Sequence, residues 1–366
     1  MDFQFTEEQA LLSQSIREFA AESLAQEDKY QVVKDLADMD ALGIMAGEEY
    51  GGLACDCTSF LICVEELAKV SPVTAFIYAG HVCLALNVVE KYGAEQARRA
   101  FLPALLSGAK IGAFACAEGK PGVDYGLITT TARLEGESYI LNGAKSYVPC
   151  YGGDSALIVL ARTAENELSA FVVDGDADGL SWGGAQAMMG LSGLRVCDLA
   201  LDNVAIPAAQ LLGQPGQGRQ IAAEAMALHD VAIAMIAAAL QETALVKSMT
   251  YGAQRVQFGR PISRFEAIQV MLGKMKMNSE AARLLAYKAA ALKDDGEDFS
   301  LAASVARGFA QSTGEQTVLD AMQIHGGYGF SLDLGIAPLL TDMKGISLFH
   351  GGGQSVILDI AQKTVA

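Results

Sequence analysis

Hydrophobic periodicity changes twice along this chain, near Ile111 and again after Pro207, and that alternation limits its architecture more than any single residue does. Before the first change, apolar residues recur at helical spacing. Leu11, Leu12, Ile16 and Phe19 follow a Thr6-x-x-Gln9 capping box. Gly51-Gly52 and Ser71-Pro72 punctuate further helices, and Pro103 and Gly108 close the region. Residues 127–133, 138–141, 156–161, 168–173 and 196–206 are instead short, β-rich and bounded by Gly, Asn or Asp. Glu135-Gly136-Glu137 and Asn142-Gly143 read as turns between such runs. After the glycine-rich stretch 213–218, long Ala-, Leu- and Met-rich helices are expected over 219–251, 264–292, 299–323 and 353–365. Their wide apolar faces predict a bundle that also forms subunit contacts. The expected fold class is α+β. It comprises an N-terminal helical domain over 1–112, a middle antiparallel β domain over 113–215 and a C-terminal helical domain over 216–366.

Composition excludes several functions. A net charge of −17 argues against a phosphate-backbone partner, so no nucleic acid is expected, and it disfavours adsorption to anionic membranes. The start of the chain has neither a basic nor an apolar leader segment. The apolar stretches are interrupted by polar residues, as Met226–Leu240 is by His229 and Asp230, so no membrane span is expected. Seven scattered cysteines, an odd number in a long chain, read as free thiols, and Cys55-Asp56-Cys57 lacks partners at zinc spacing. A cytoplasmic redox enzyme fits these limits.

Several short patterns occur in order along the chain: Glu48-Glu49-Tyr50-Gly51-Gly52-Leu53, Leu141-Asn142-Gly143-Ala144-Lys145, Arg255-Val256-Gln257-Phe258-Gly259-Arg260-Pro261, Gln323-Ile324-His325-Gly326-Gly327-Tyr328-Gly329, and a final stretch from Thr341 to Gln354. Each is weak alone. Together, in this order and spacing, they resemble the acyl-CoA dehydrogenase family, whose members are FAD-dependent oxidoreductases of acyl thioesters.

The resemblance implies FAD held between neighbouring subunits of a homotetramer or dimer. It further implies an acyl-CoA or acyl-carrier thioester lying against the flavin, and electron export to an electron-transferring flavoprotein. One half of the cofactor site would be donated to the neighbour. Arg255 would pair with a pyrophosphate oxygen, Gln257 and Phe258 would lie near the cofactor, Gln323 would offer amide bonds, and Gly326 and Gly327 would admit close backbone approach. Gly352 and Gln354 would belong to the same site. The bland alternative is a surface Arg, a core Phe and an ordinary glycine turn. The receiving half departs from the family pattern. Around Cys116, hydroxyl positions hold Ala117 and Val123, and the position of a flavin-bonding Thr holds Pro149, which has neither hydroxyl nor N–H. Tyr147 can still cover a flavin face.

The family's catalytic Glu would stand at one of two places, which here carry His350 and His229. A neutral imidazole can remove an α-proton, and an imidazolium can hold an anionic acyl tail. His350 can also merely fill the space of a lost base. Three readings therefore stay open: an acyl-CoA dehydrogenase with an unusual base, a non-oxidising lyase that expels an anionic group, and a degenerate partner subunit of a heterotetramer.

Overall fold

The first helix begins where its capping box predicts. In the computed structural model, which describes residues 4–23, 26–119, 124–149, 152–349 and 351–365, the Gln9 N–H donates to the Thr6 hydroxyl at 3.1 Å and the Thr6 N–H to the Gln9 side chain at 3.2 Å. Helix α1 then runs Glu7–Glu22, followed by α2 (Lys29–Asp35) and α3 (Cys57–Val70). Ser71 caps α4 (Pro72–Ala79), with Pro72 at the first turn, where its missing N–H costs nothing. The helix does not stop at Ala79. It widens into a π-turn over Gly80–Leu86 and continues as α5 (Asn87–Tyr92). Pro103, expected to end a helix, lies inside α6 (Glu95–Leu106). It sits on an exposed face, where water can take the carbonyl that its ring leaves without a donor.

Eight strands come next: β1 (Ile111–Ala115), β2 (Thr131–Glu135), β3 (Ser138–Pro149), β4 (Ser155–Ala164), β5 (Glu167–Asp174), β6 (Leu180–Trp182), β7 (Val196–Pro207) and β8 (Leu211–Leu212). They form one sheet in the order β6-β7-β3-β2-β4-β5-β8, with β1 alongside β4. The expectation of a purely antiparallel middle is corrected here. β1 pairs with β4 in parallel, and β2 touches β4 in parallel at Thr131↔Arg162. The reason is connectivity: β1 enters from α6, and the long passage through β2 and β3 before β4 supplies the crossover that a parallel pair requires. Asn142-Gly143 is also not a turn. It is a bulge inside β3, where the register against β7 shifts between Leu141 and Gly143. A Cβ at Gly143 would lie 2.7 Å from the Thr130 Cα, so the close approach of β2 demands glycine.

The sheet is buried on both faces. Phe114, Ile158, Leu160 and Val172 face the helices, while Ala115, Leu157, Val159 and Val173 form a second core on the other side. A small hairpin, β9 (Val256–Gln257) and β10 (Arg260–Pro261), separates α7 (Gly218–Gln254) from α8 (Glu266–Asp294). The bundle is completed by α9 (Ser300–His325), α10 (Gly327–Phe330), α11 (Ala337–Leu348) and α12 (Gly353–Val365). Two helical stretches, Pro72–Tyr92 and Gly218–Gln254, are long and apolar enough to cross a membrane, but their most apolar windows are 83% and 78% buried inside the protein, as core helices are.

The sheet is fastened to the helices by polar contacts. His81 in the π-turn has no exposed surface, and its Nδ1 accepts from the Gly112 N–H of β1 at 2.9 Å. On the far side the Leu191 N–H, in the loop before β7, donates to Asp342 of α11 at 2.6 Å. A Cβ at Gly190 would collide with the Thr341 carbonyl at 2.1 Å, so this loop lies directly on α11.

Burial depresses His81 to about 4, so the folded protein keeps it neutral. The unfolded chain takes up a proton there below about 6.5. Stability contributed by this site is therefore complete at neutral pH and falls as pH drops from about 6.5 to about 4. His81→Leu, which leaves the Gly112 N–H without its acceptor, should cost about 1–3 kcal/mol in urea denaturation and should remove that part of the acid dependence.

Candidate active site

The glycine-rich patterns near residues 255 and 326 converge on one open groove. It is open to solvent, offers about 570 Å³ and is walled by Tyr251, Arg255, Gln257, His325, Gly326 and Gly327 among others. Arg255 ends α7, and its backbone is fixed on both sides: its N–H donates to Tyr251 and its carbonyl accepts from Ile262, each at 2.8 Å. The His325 ring stacks on Tyr251 at 4.5 Å, and its Nδ1 lies 2.8 Å from the Ala321 carbonyl. Gly326 has φ 59° and ψ −132°, a conformation open essentially to glycine alone. No atom lies within 4 Å of where a Cβ would stand at Gly326 or Gly327, so a ligand can approach this bend closely, while the Gly326 N–H itself donates to the Gln323 carbonyl at 3.1 Å. Gln323 is exposed in the last turn of α9. The hairpin between β9 and β10 turns through Phe258 (φ 49°) and Gly259 (φ 78°), and Phe258 is 93% exposed. A bulky residue in the left-handed region with its ring in solvent is costly for a lone chain. This groove suits a pyrophosphate: a guanidinium beside an uncluttered glycine bend.

The receiving side is built differently. Cys116 is buried at the end of β1, and Ala117 follows it, accepting at its carbonyl from the Ser146 N–H at 2.9 Å. Tyr147 sits on a second bulge of β3 with φ 56°, so its ring is turned out of the strand and half exposed. Pro149 closes β3 and offers no donor. Val123 lies outside the described residues. A polar feature that sequence inspection missed holds this wall together. Lys145 has no exposed surface, and its ammonium meets Glu118 at 2.7 Å. Glu118 also accepts from the Thr129 and Thr130 hydroxyls, both at 2.6 Å. Burial would push the Glu118 carboxyl up, but Lys145 and the threonines hold it down at about 2. Its charge is committed to structure.

A third space lies between α4, its π-turn, β1 and α7. It is a narrow apolar cavity, lined by Tyr30, Phe76, Gly80, Leu84, Pro149 and His229 with residues 111–114. The structure thus brings His229 and Pro149 to one cavity, whereas Arg255, Gln257, Gly326 and Gly327 gather at the groove. Phe76 stands edge-on to the His229 ring at 5.7 Å and packs on Phe349 at 4.6 Å, so one aromatic side chain touches both segments expected to carry the base. His350 itself lies outside the described residues. Gly352 is half-buried and accepts from the Ser355 N–H, and Gln354 is exposed in the first turn of α12.

Sequence inspection also missed how the carboxylate beside His229 is used. Asp230 is bound to Arg307 of α9 at 2.6 Å, and Arg307 is buried. Burial pushes Asp230 up, against the pull of the guanidinium. The signal was present in the sequence: Arg307 is the one charged residue in a run of small and apolar side chains from Leu301 to Ala310. Its partner becomes visible only in the fold.

Known proteins share this arrangement. The profile of the acyl-CoA dehydrogenase N-terminal domain matches residues 6–109, that of the middle domain 113–204 and that of the C-terminal domain 216–365. An acyl-CoA dehydrogenase of Bacillus subtilis is 33% identical over 359 residues, covering 94% of this chain and 95% of the relative. The structure of butyryl-CoA dehydrogenase from Megasphaera elsdenii superposes with a TM-score of 0.95 at 30% identity, with both chains fully covered. A chain from a structural study of the electron-transferring flavoprotein of Acidaminococcus fermentans gives 0.95 at 31% identity, again over all of both chains.

Lys145→Met would leave Glu118 buried without its counter-ion and should cost about 3–5 kcal/mol in chemical denaturation. Lys145→Met with Glu118→Gln should recover much of that loss. Because Glu118 is held near 2, its contribution is complete above the usual carboxylate range and is lost as pH falls toward about 2.

Proposed function

This chain belongs to the acyl-CoA dehydrogenase family, and from that premise we propose that it is a flavoenzyme performing α,β-dehydrogenation of an uncharged acyl thioester, with imidazole in place of the usual carboxylate base. The observation that carries this reading is the apolar cavity beside His229 and Pro149. Among its described lining residues there is no carboxylate, lysine or arginine, so the lining suits an uncharged acyl chain rather than an anionic one. The nearby acid is engaged, since Asp230 is paired with Arg307. The non-oxidising alternative, which needs a cation for an anionic tail, finds little support in such a lining.

FAD, when bound, supplies the acceptor for the hydride that leaves the β-carbon. The residues of this chain do the rest. Arg255, Gln257, Gln323 and the open Gly326-Gly327 bend would hold the pyrophosphate and adenosine of a neighbouring subunit's cofactor, in a homo-oligomer. Phe258, exposed in the single chain, is covered by that neighbour. Gly352 and Gln354 join the same site. Cys116, Ala117, Tyr147 and Pro149 form the wall against the flavin ring. A neutral imidazole, from His350 or His229, takes the α-proton as the hydride departs, and the carbon–carbon double bond forms. The thioester arm is that of CoA or of an acyl carrier. Electrons leave to an electron-transferring flavoprotein, and the 0.95 superposition on a chain from a structural study of such a protein supports this. The surroundings fit the cytoplasm.

A second reading is favoured by one feature. The flavin wall has Ala117 and Pro149 where hydroxyl donors are expected, and Glu118 is tied to Lys145. A chain that donates the Arg255 groove to a different, catalytic partner would look like this. The FAD content of the purified protein separates the two: one FAD per chain favours the first, and a colourless chain the second.

Arg255→Ala removes a charge-assisted bond of about 1.5–3 kcal/mol, so FAD affinity should fall by at least tenfold. Unchanged FAD content would count against the groove assignment. If His350 is the base, flavin bleaching under anaerobic mixing with acyl-CoAs should accelerate as pH rises across about 6–7, because the imidazole must be neutral. A rate that falls over that range would instead indicate an imidazolium holding an anion. Equal bleaching in wild type, His350→Ala and His229→Ala would remove both histidines from the chemistry.

A further inference from the structure

Arg307 has more attachments than its ion pair. Its Nη1 donates to Asp230 of α7 at 2.6 Å, while its Nη2 donates to the carbonyls of Phe349 at 2.7 Å and Gly351 at 2.8 Å. One guanidinium thus grips the two peptide carbonyls on either side of position 350 and ties them to the residue next to His229. Only 3% of Arg307 is exposed, so water does not compete for these bonds. A rigid planar fork suits the task, since one end can neutralise an acid while the other reaches two carbonyls at once. Lysine, a point charge on a flexible stem, cannot hold that geometry.

The loop between α11 and α12 has separate anchors at its two ends. On one side Asp342 of α11 receives the Leu191 N–H. On the other, α12 is docked on α9 by Ser304 donating to Asp359 at 2.6 Å, and by Val356 and Ile360 packing against Gly308. Neither anchor touches residues 349–351. The guanidinium does, and by way of Asp230 it refers their position to α7.

We propose that Arg307 is a positioning residue that fixes the 349–351 segment relative to His229, and so sets the geometry between the two places from which the proton-accepting imidazole can come. This rests on the dehydrogenation reading above for its catalytic consequence, but the tethering itself does not. The recognised group is the pair of peptide carbonyls, and the counter-charge is Asp230. Removing the fork leaves the segment held by its end anchors and by the packing of Phe349 on Phe76, with no polar tie to its backbone carbonyls, and a displacement of the order of 1 Å at a reacting group costs about a hundredfold in rate.

The test uses the full-length protein with Arg307→Lys, and Ser304→Ala as a control that loosens α12 without touching the guanidinium. Amide hydrogen exchange in peptides spanning 346–353 should quicken about tenfold or more in Arg307→Lys, and not in Ser304→Ala. In anaerobic stopped flow with acyl-CoA, Arg307→Lys should slow bleaching at saturating substrate about ten- to a hundredfold, with the half-saturating concentration nearly unchanged. Combined with loss of whichever histidine proves to be the base, the Arg307→Lys effect should vanish, since residues acting through one another are not additive. Unchanged exchange over 346–353, or an increase spread evenly through α7, α9 and α12, would overturn the proposal. If no acyl thioester bleaches the wild-type flavin, the dehydrogenation reading fails, and the exchange comparison still decides whether Arg307 tethers the segment.

Discussion

Helix α7 sets the terms for everything around it. It runs for 37 residues, and most of its central stretch has no exposed surface. A helix buried on all sides must be met by apolar faces on all sides, so α3, α4, α8, α9 and α11 are arranged about it. Every polar residue in its middle then needs a specific partner. The Gln241 amide donates to the Ala310 carbonyl at 3.1 Å and its oxygen receives the Thr317 hydroxyl. Asp230 has Arg307, and His229 faces the cavity beside Phe76. The candidate site is thus placed where the bundle's own axis admits polar groups, and it inherits the rigidity of that axis.

Some of this was legible in the sequence because its cause is local. A helix start is decided within four residues, which is why Thr6 and Ser71 mark true helix N-termini. The long bundle helices showed in their composition, and the hairpin at Gly136 in its turn chemistry. Features with distant causes were misread or missed. Gly143 reads as a turn residue, but what demands glycine there is Thr130 on the neighbouring strand. The parallel pairing of β1 depends on which strand it meets about forty residues later, and no pattern within β1 encodes that. Lys145 and Glu118 belonged to two separate motifs and proved to be one ion pair. The groove residues were found because a family pattern places them together, whereas Tyr30, Gly80 and Leu84 carry no such mark and join the cavity only through packing.

The two halves of the expected cofactor site contrast in a way that physical chemistry can explain. A phosphate-binding bend depends on backbone geometry and one guanidinium, so it tolerates little substitution, and here its glycines and Arg255 are all present. A wall against a flat aromatic ring depends on shape and on a few hydrogen bonds that backbone groups can replace. Ala117 and Pro149 change the donors while the bulge at Tyr147 still turns a ring outward.

The π-turn at Gly80–Leu86 carries a consequence for how this cavity can change. A π-turn holds one residue more than the α-helix needs to span the same distance. Deleting one residue between Gly80 and Leu84 lets the helix close into regular α geometry while the chain beyond keeps its place, so only the side chains within the turn are redistributed around the axis. The faces that present Gly80 and Leu84 to the cavity would then no longer coincide. Relatives differing here by a single-residue gap would have differently shaped cavities with the same side chains, so the length of this segment, as much as its composition, governs what fits inside.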